Sequence, residues 1–142
     1  MLVCTSLTKR FGDRLALDKV GFSIEPGEIV ALLGPNGAGK TTCMRLLAGV
    51  IEADDGQIEL FGIAPDKDRT AAQSFLGYLP EGAPLQLELT IREHLQFVAE
   101  IRGLPKARQG EAIADVAREA SIADWLDVPV RMLSKGYRRR AA

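Results

Sequence analysis

The sequence is poor in the residues that build covalent or metal scaffolds. Among its 142 residues it has two cysteines, one histidine and one tryptophan, with 6% aromatics in all. Cys4 and Cys43 lie far apart and form no CxxC pair. That spacing excludes a disulfide framework or a zinc ribbon and reads as two reduced, buried thiols. His94 cannot build a metal site alone; it falls inside a helical pattern and reads as an ordinary helix residue. Charge of one sign is also lacking: 18 Lys and Arg against 19 Asp and Glu give a net charge of -1. A protein built to coat nucleic acid needs a basic excess, so no nucleic-acid partner is expected. No apolar run approaches the roughly 18 residues of a membrane span. Met1 to Thr5 offer no charged region followed by a long apolar one, so no signal peptide is read. Internal repeats and low-complexity tracts are absent.

What remains is a globular composition, 46% hydrophobic and 26% charged, at a length that suits one domain of ordinary size. Residues 2–8 and 20–24 read as short strands, with turn chemistry at Gly12-Asp13 and Pro26-Gly27. Residues 28–33, Glu-Ile-Val-Ala-Leu-Leu, form an apolar run of the kind a central parallel strand requires. Helical spacing of Met44, Leu47, Ala48 and Ile51 predicts a helix over 40–50. Asp54-Asp55-Gly56 reads as a turn, 57–60 as a strand, 66–74 as a short helix and 75–79 as another strand. From Pro80 the character changes. Thr90-Ile91-Arg92-Glu93 is a capping box, and Ile91, Leu95, Val98 and Ile101 mark one apolar helix face. Gly103 ends that helix and Pro105 opens the next, whose buried side carries Ile113, Val116, Ala117 and Ala120. Ser121 to Asp124 offers one further cap and Ser134 another.

The chemistry concentrates in Gly34-Pro35-Asn36-Gly37-Ala38-Gly39-Lys40-Thr41-Thr42, which matches G-x-x-x-x-G-K-[ST]. Its glycines let the backbone bend and approach phosphate closely. Successive N–H groups then line one concavity, and the following helix adds the positive end of its dipole. Lys40 brings a full positive charge to the terminal phosphates. The Thr41 hydroxyl suits Mg²⁺, a hard cation that prefers oxygen.

On these residues the chain resembles the ATP-binding cassette family, the nucleotide-binding subunits of ABC transporters. The phosphate loop looks like that family's Walker A, including its Pro-Asn and double threonine. Phe11 sits where the family stacks an aromatic on adenine. Gly77-Tyr78-Leu79-Pro80-Glu81 resembles the lead into the Q-loop, with Glu81 where the family usually has glutamine; a carboxylate there can still ligate Mg²⁺ or order a water. Leu133-Ser134-Lys135-Gly136-Tyr137-Arg138 is similar to the signature usually written LSGGQ. Ser134 and Gly136 are kept, while Lys135 and Tyr137 depart. Residues 78–81 and 134–137 together are similar to the subgroup that works with ABC-2-type permeases, mostly exporters.

The resemblance implies an α/β phosphate-loop NTPase fold: a mixed or parallel sheet core, an N-terminal antiparallel β region and an α-helical subdomain. It implies residues 1–82 as β region and ATP-binding core, and 83–142 as the helical subdomain ending at the signature. The cofactors implied are ATP and Mg²⁺. Catalytic roles fall to Lys40 and Glu81, and metal binding to Thr41 and Glu81. Nucleotide contacts fall to Phe11, residues 34–42, and Ser134 and Gly136, the last two acting on a partner's nucleotide. The implied partners are a second ATP-binding subunit and integral membrane permeases, met through residues 83–96. The implied place is cytoplasmic, on the inner face of the cell membrane. The family's apolar strand ending in Asp, its catalytic Glu and its switch histidine do not occur, so the chain reads as an N-terminal portion that retains ATP positioning without efficient turnover. Two other readings stay open: a soluble ATPase of this type in translation or DNA repair, and an inactive nucleotide-binding fragment.

Overall fold

The computed structural model describes residues 1–82 and 85–142. The expected boundary at 82/83, and residues 83 and 84 of the expected partner-contact segment, lie outside the described residues. The chain divides into two compact units, Met1–Tyr78 and Leu79–Ala142.

In the first unit a hairpin is built from β1 (Leu2–Phe11) and β2 (Arg14–Ile24), closed by Gly12 and Asp13. Then β3 (Asp55–Leu60) pairs with the other edge of β1, giving an antiparallel sheet of order β2-β1-β3. Cys4 and Leu7 are both buried although three positions apart. In a regular strand that odd spacing would put them on opposite faces. A register shift between them, with Ser6 at φ 53°, inserts the extra residue that returns both to the core. Against this face packs α1 (Lys40–Leu47), through Cys43, Leu46 and Leu47. Leu7 and Leu46 are among the most fully buried side chains, each burial contributing about 2 kcal/mol. Both cysteines are free and share this core. Burial, and then the neighbouring Cys43, push the Cys4 thiol up to about 12, so it stays protonated. Asp54 ties the lead into β3 back to β1: its carboxylate takes Lys9 Nζ at 2.7 Å and the Arg10 N–H at 2.6 Å. A short helix, α2 (Arg69–Ser74), is capped by Asp68, which accepts the Ala71 N–H at 2.9 Å.

Two expected strands do not form. Residues 28–33 and 75–79 belong to no ladder among the described residues. Ile29 is 101% and Leu33 87% exposed, where a central strand would be covered on both faces. An apolar run supplies side chains to bury, but a ladder also needs a neighbouring backbone, and no described strand lies alongside.

The second unit is helical: α3 (Ile91–Ile101), α4 (Lys106–Glu119) and α5 (Lys135–Ala141), with 3-10 turns at Ala123–Trp125 and Val130–Met132. The capping box is present in full. Thr90 Oγ1 accepts the Glu93 N–H at 3.2 Å, and the Glu93 carboxylate takes the Thr90 N–H at 2.8 Å. The Thr90 N–H, and then the Thr90 hydroxyl donating to the same carboxylate at 2.9 Å, hold the Glu93 carboxyl below its ordinary range. Gly103 follows α3, and Pro105 stands at the N-cap of α4. Arg92 forms a two-pronged pair with Asp127, Nε–Oδ1 at 2.7 Å and Nη2–Oδ2 at 3.0 Å.

The core of this unit gathers Ile91, Ile113, Ala117, Ile122, Leu126, Val130, Leu133 and Ala141, with Leu95 at its margin. The expected apolar face of α3 is therefore half right. Val98 and Ile101 are exposed because α3 runs on past the core that holds Ile91. Val116 is exposed too, while Ile113 and Ala117 on the same helix are buried. In place of Val98 the helix buries His94, three positions after Ile91, with Nδ1 unpartnered.

That burial holds the His94 pKa below the ordinary 6.5. The unfolded chain therefore binds this proton more readily than the folded one. The stability involved is complete above about pH 6.5 and is lost as pH falls through that value toward the lower folded pKa. The melting temperature is expected to drop between about pH 7.5 and pH 5.5, and to drop less in His94→Gln. Equal slopes in parent and variant would remove His94 as the cause.

Candidate nucleotide-binding site

The loop of residues 34–39 passes into α1 through Gly39, which sits at φ 88° as its N-cap residue. A Cβ added there would lie 2.4 Å from the Ala16 carbonyl oxygen and 2.8 Å from Leu17 Cδ2. The chain thus turns into α1 directly beneath β2, and only a residue without a side chain passes. The first helical bond of α1 runs from the Cys43 N–H to the Gly39 carbonyl at 2.8 Å. The N–H groups of Lys40, Thr41 and Thr42 therefore have no carbonyl behind them. No side chain caps them, and no acid stands in the first turn. Three unpaired donors and an uncompensated dipole end make this terminus a place for an anion.

Lys40 Nζ donates to the carbonyl oxygens of Gly34 and Pro35, both at 2.7 Å. An ammonium has three donors, so one remains for another acceptor while the charge stands across the loop. The Ala38 N–H to Pro35 carbonyl bond at 3.3 Å closes a turn inside the loop. Gly34, Pro35, Asn36, Gly37 and Ala38 are all exposed, as is Thr41, while Thr42 is half-buried. Phe11, at the end of β1, leaves 51% of its surface open, with Lys9 Nζ 5.7 Å from its ring centroid.

The other expected site residues lie in the second unit. Ser134 is the N-cap of α5, and its Oγ accepts the Tyr137 N–H at 3.3 Å. Arg138 fixes that helix through Nη2 to the Arg131 carbonyl at 2.7 Å and Nε to the Val130 carbonyl at 3.2 Å. Gly136 stands in its first turn, where a Cβ would meet Ser134 Oγ at 3.8 Å. Glu81 lines a cavity of about 340 Å³ with Leu85, Leu87, Lys135, Arg138 and Arg139. The Glu81 carboxylate thus shares a cavity with basic side chains of α5. The structure gathers Phe11 and residues 34–42 in one unit, and Glu81, Ser134 and Gly136 in the other.

Arg14 is a residue beside the loop that sequence reasoning missed. It faces Phe11 across the hairpin, and its Nη2 lies 3.4 Å from the Gly37 carbonyl oxygen. The signal was available: a two-residue turn at Gly12-Asp13 makes residues 11 and 14 partners.

The antiparallel sheet, the glycine-turned loop and the helix behind it define a phosphate-loop nucleotide-binding protein of the α/β class. The family model for "ABC transporter" matches residues 17–142, and the chain belongs to that family. It is 38% identical over 136 residues to Nod factor export ATP-binding protein I of Sinorhizobium fredii, covering 96% of this chain and 40% of that protein. It is 33% identical over 136 residues to the probable multidrug ABC transporter ATP-binding protein YbhF of Escherichia coli, covering 96% of this chain and 24% of that one. A solved structure titled as an ATP binding subunit of an ABC transporter superposes with a TM-score of 0.84 at 30% identity, over 99% of this chain and 58% of that chain. The chain thus spans less than half the length of these curated relatives.

The close approach at Gly39 gives a sharp test. Gly39→Ala is expected to cost about 3 kcal/mol or more in a denaturant titration, from left-handed strain plus a clash with fixed backbone. Gly27→Ala, at φ 85° with nothing within 4 Å, is expected to cost only about 1 kcal/mol. Equal costs would mean that the Ala16 carbonyl yields.

Proposed function

We propose that the chain binds Mg-ATP and serves as the ATP-driven part of a transporter. The observation that carries this reading is the N-terminus of α1, with three unpaired N–H groups and the Lys40 ammonium on one loop. In this reading the loop N–H groups hold the phosphates, and Lys40 turns from the Gly34 and Pro35 carbonyls toward the β- and γ-phosphates. Phe11 carries the adenine on its open face. The described residues fit a magnesium nucleotide. The hydroxyl of Thr41, exposed in the first turn of α1, offers the oxygen donor that Mg²⁺ prefers. No cluster of three or more His, Cys, Asp or Glu able to hold a metal by itself occurs among the described residues, which suits an ion shared with phosphate oxygens. When bound, Mg²⁺ neutralises charge that develops on the phosphates.

Hydrolysis belongs to the whole protein in this proposal. Lys40 stabilises the γ-phosphate, and Glu81 serves as the carboxylate that meets the metal or orders a water. Ser134 and Gly136 close on nucleotide held by a second copy. The second unit, from Glu81 through the start of α3, passes this closure to a membrane permease. No described helix is long and apolar enough to cross a membrane. The name of one relative, Nod factor export ATP-binding protein I, supports export as the direction.

Titration calorimetry tests the binding step. Mg-ATP is expected to bind the protein, and Lys40→Ala to weaken it at least tenfold, since a charge-assisted bond is worth about 1.5–3 kcal/mol. Thr41→Ala is expected to reduce the dependence of ATP affinity on magnesium while leaving metal-free binding nearly intact. Heat from Mg-ATP that is absent in the parent, or unchanged in Lys40→Ala, would refute the reading.

A further inference from the structure

Arg14 has no part in the site as the family motifs define it, yet it stands against the phosphate loop. We propose that Arg14 contacts the bound nucleotide, holding the phosphate nearest the sugar. The inference rests on the nucleotide reading above and adds to it a residue that the motifs do not name.

Three observations place it there. Phe11 and Arg14 are direct partners in the register of β1 and β2, so their side chains leave the same face of the hairpin tip. Arg14 Nη2 reaches the loop at 3.4 Å from the Gly37 carbonyl oxygen, and a Cβ on Gly37 would come within 3.2 Å of it. Arg14 is exposed and forms no ion pair among the described residues, whose pairs use Lys9, Arg69, Arg92, Arg118 and Arg131. The guanidinium therefore bridges from the aromatic end of the hairpin to the middle of the loop.

A nucleotide with its base on Phe11 and its terminal phosphates at Lys40 and the α1 N-terminus must cross that interval. The part that crosses is the sugar and the first phosphate. A guanidinium offers five donors in a planar fork suited to phosphate oxygens. The bond to Gly37 uses one of them, and at 3.4 Å it is a long one. Exchanging it for charged phosphate oxygens gains more than it gives up. The carbonyl of Gly37, in an exposed part of the loop, returns to water.

Binding of Mg-ATP, Mg-ADP, AMP and adenosine to the parent, Arg14→Ala, Arg14→Lys and Lys40→Ala decides the matter. Arg14→Ala is expected to weaken ATP, ADP and AMP by a common factor of about ten and to leave adenosine unchanged. Its ATP affinity is expected to fall less steeply with added salt, because one screened phosphate contact is gone. Arg14→Lys, which keeps the charge without the fork, is expected to recover part of the loss. A role confined to bracing Gly37 would leave the salt dependence as it was, and that result overturns the proposal. So does a loss confined to ATP, a loss shared by adenosine, or no loss at all. Should Arg14→Ala melt lower than the parent without ligand, the same salt comparison is made with Arg14→Gln, which keeps a donor for the Gly37 carbonyl and removes the charge. If Lys40→Ala loses ATP while Arg14→Ala does not, the role of Arg14 falls and the site reading stands. If the parent binds no Mg-ATP, both fall.

Discussion

The passage of Gly39 beneath the Ala16 carbonyl is the constraint on which the site depends. It fixes where α1 starts, and so where three N–H groups point without partners. It also sets the loop under the hairpin, near enough for Arg14 to reach Gly37. A single hydrogen in place of a side chain therefore joins the sheet, the helix and the loop. The core beneath keeps the joint rigid: Cys43, Leu46 and Leu47 on α1 pack with Cys4, Leu7 and Leu17 of the sheet. A helix terminus becomes a binding site only when its direction is fixed from behind, and these six residues fix it.

The second unit uses different means. Caps and end-to-end bonds do much of its ordering. Thr90 and Glu93 start α3, Ser134 starts α5, and Arg138 bolts α5 to the turn before it through two carbonyls. Trp125 and Tyr137, with ring centroids 4.8 Å apart and planes tilted by 38°, pack across the same corner. The segment around Ser134 and Gly136 is thus held by backbone and aromatic contacts inside its own unit. The cavity beside them puts the Glu81 carboxylate with Lys135, Arg138 and Arg139. A glutamine there would bring no charge to set against that basic cluster.

Much of this was legible in the residues, because glycines, caps and the phosphate motif are local signals. The motif placed the loop and α1, Thr90-x-x-Glu93 placed α3, and Ser134 placed α5. What failed was non-local. Residues 28–33 have the composition of a buried strand, but pairing depends on a neighbour that composition does not report. In α3 the helical period named Val98 and Ile101 correctly as one stripe with Ile91. It could not say where the opposing core stops, and that core stops short of them. Arg14 escaped because the polar residues Lys9, Arg10 and Arg14 hid the extension of the hairpin to its tip.

The unladdered stretch before the loop gives Lys40 a second job. On its C-terminal side the loop is anchored by α1 and its core. On its N-terminal side residues 28–33 offer no ladder, so the bonds from Lys40 to the Gly34 and Pro35 carbonyls join the Ala38–Pro35 bond in tying the two arms together. In the proposed reading, phosphate oxygens take the donor that these carbonyls leave free and then draw the ammonium away from them. The exchange favours phosphate, since a charged acceptor binds an ammonium more strongly than a neutral one. Yet it also loosens the arm that the carbonyls held.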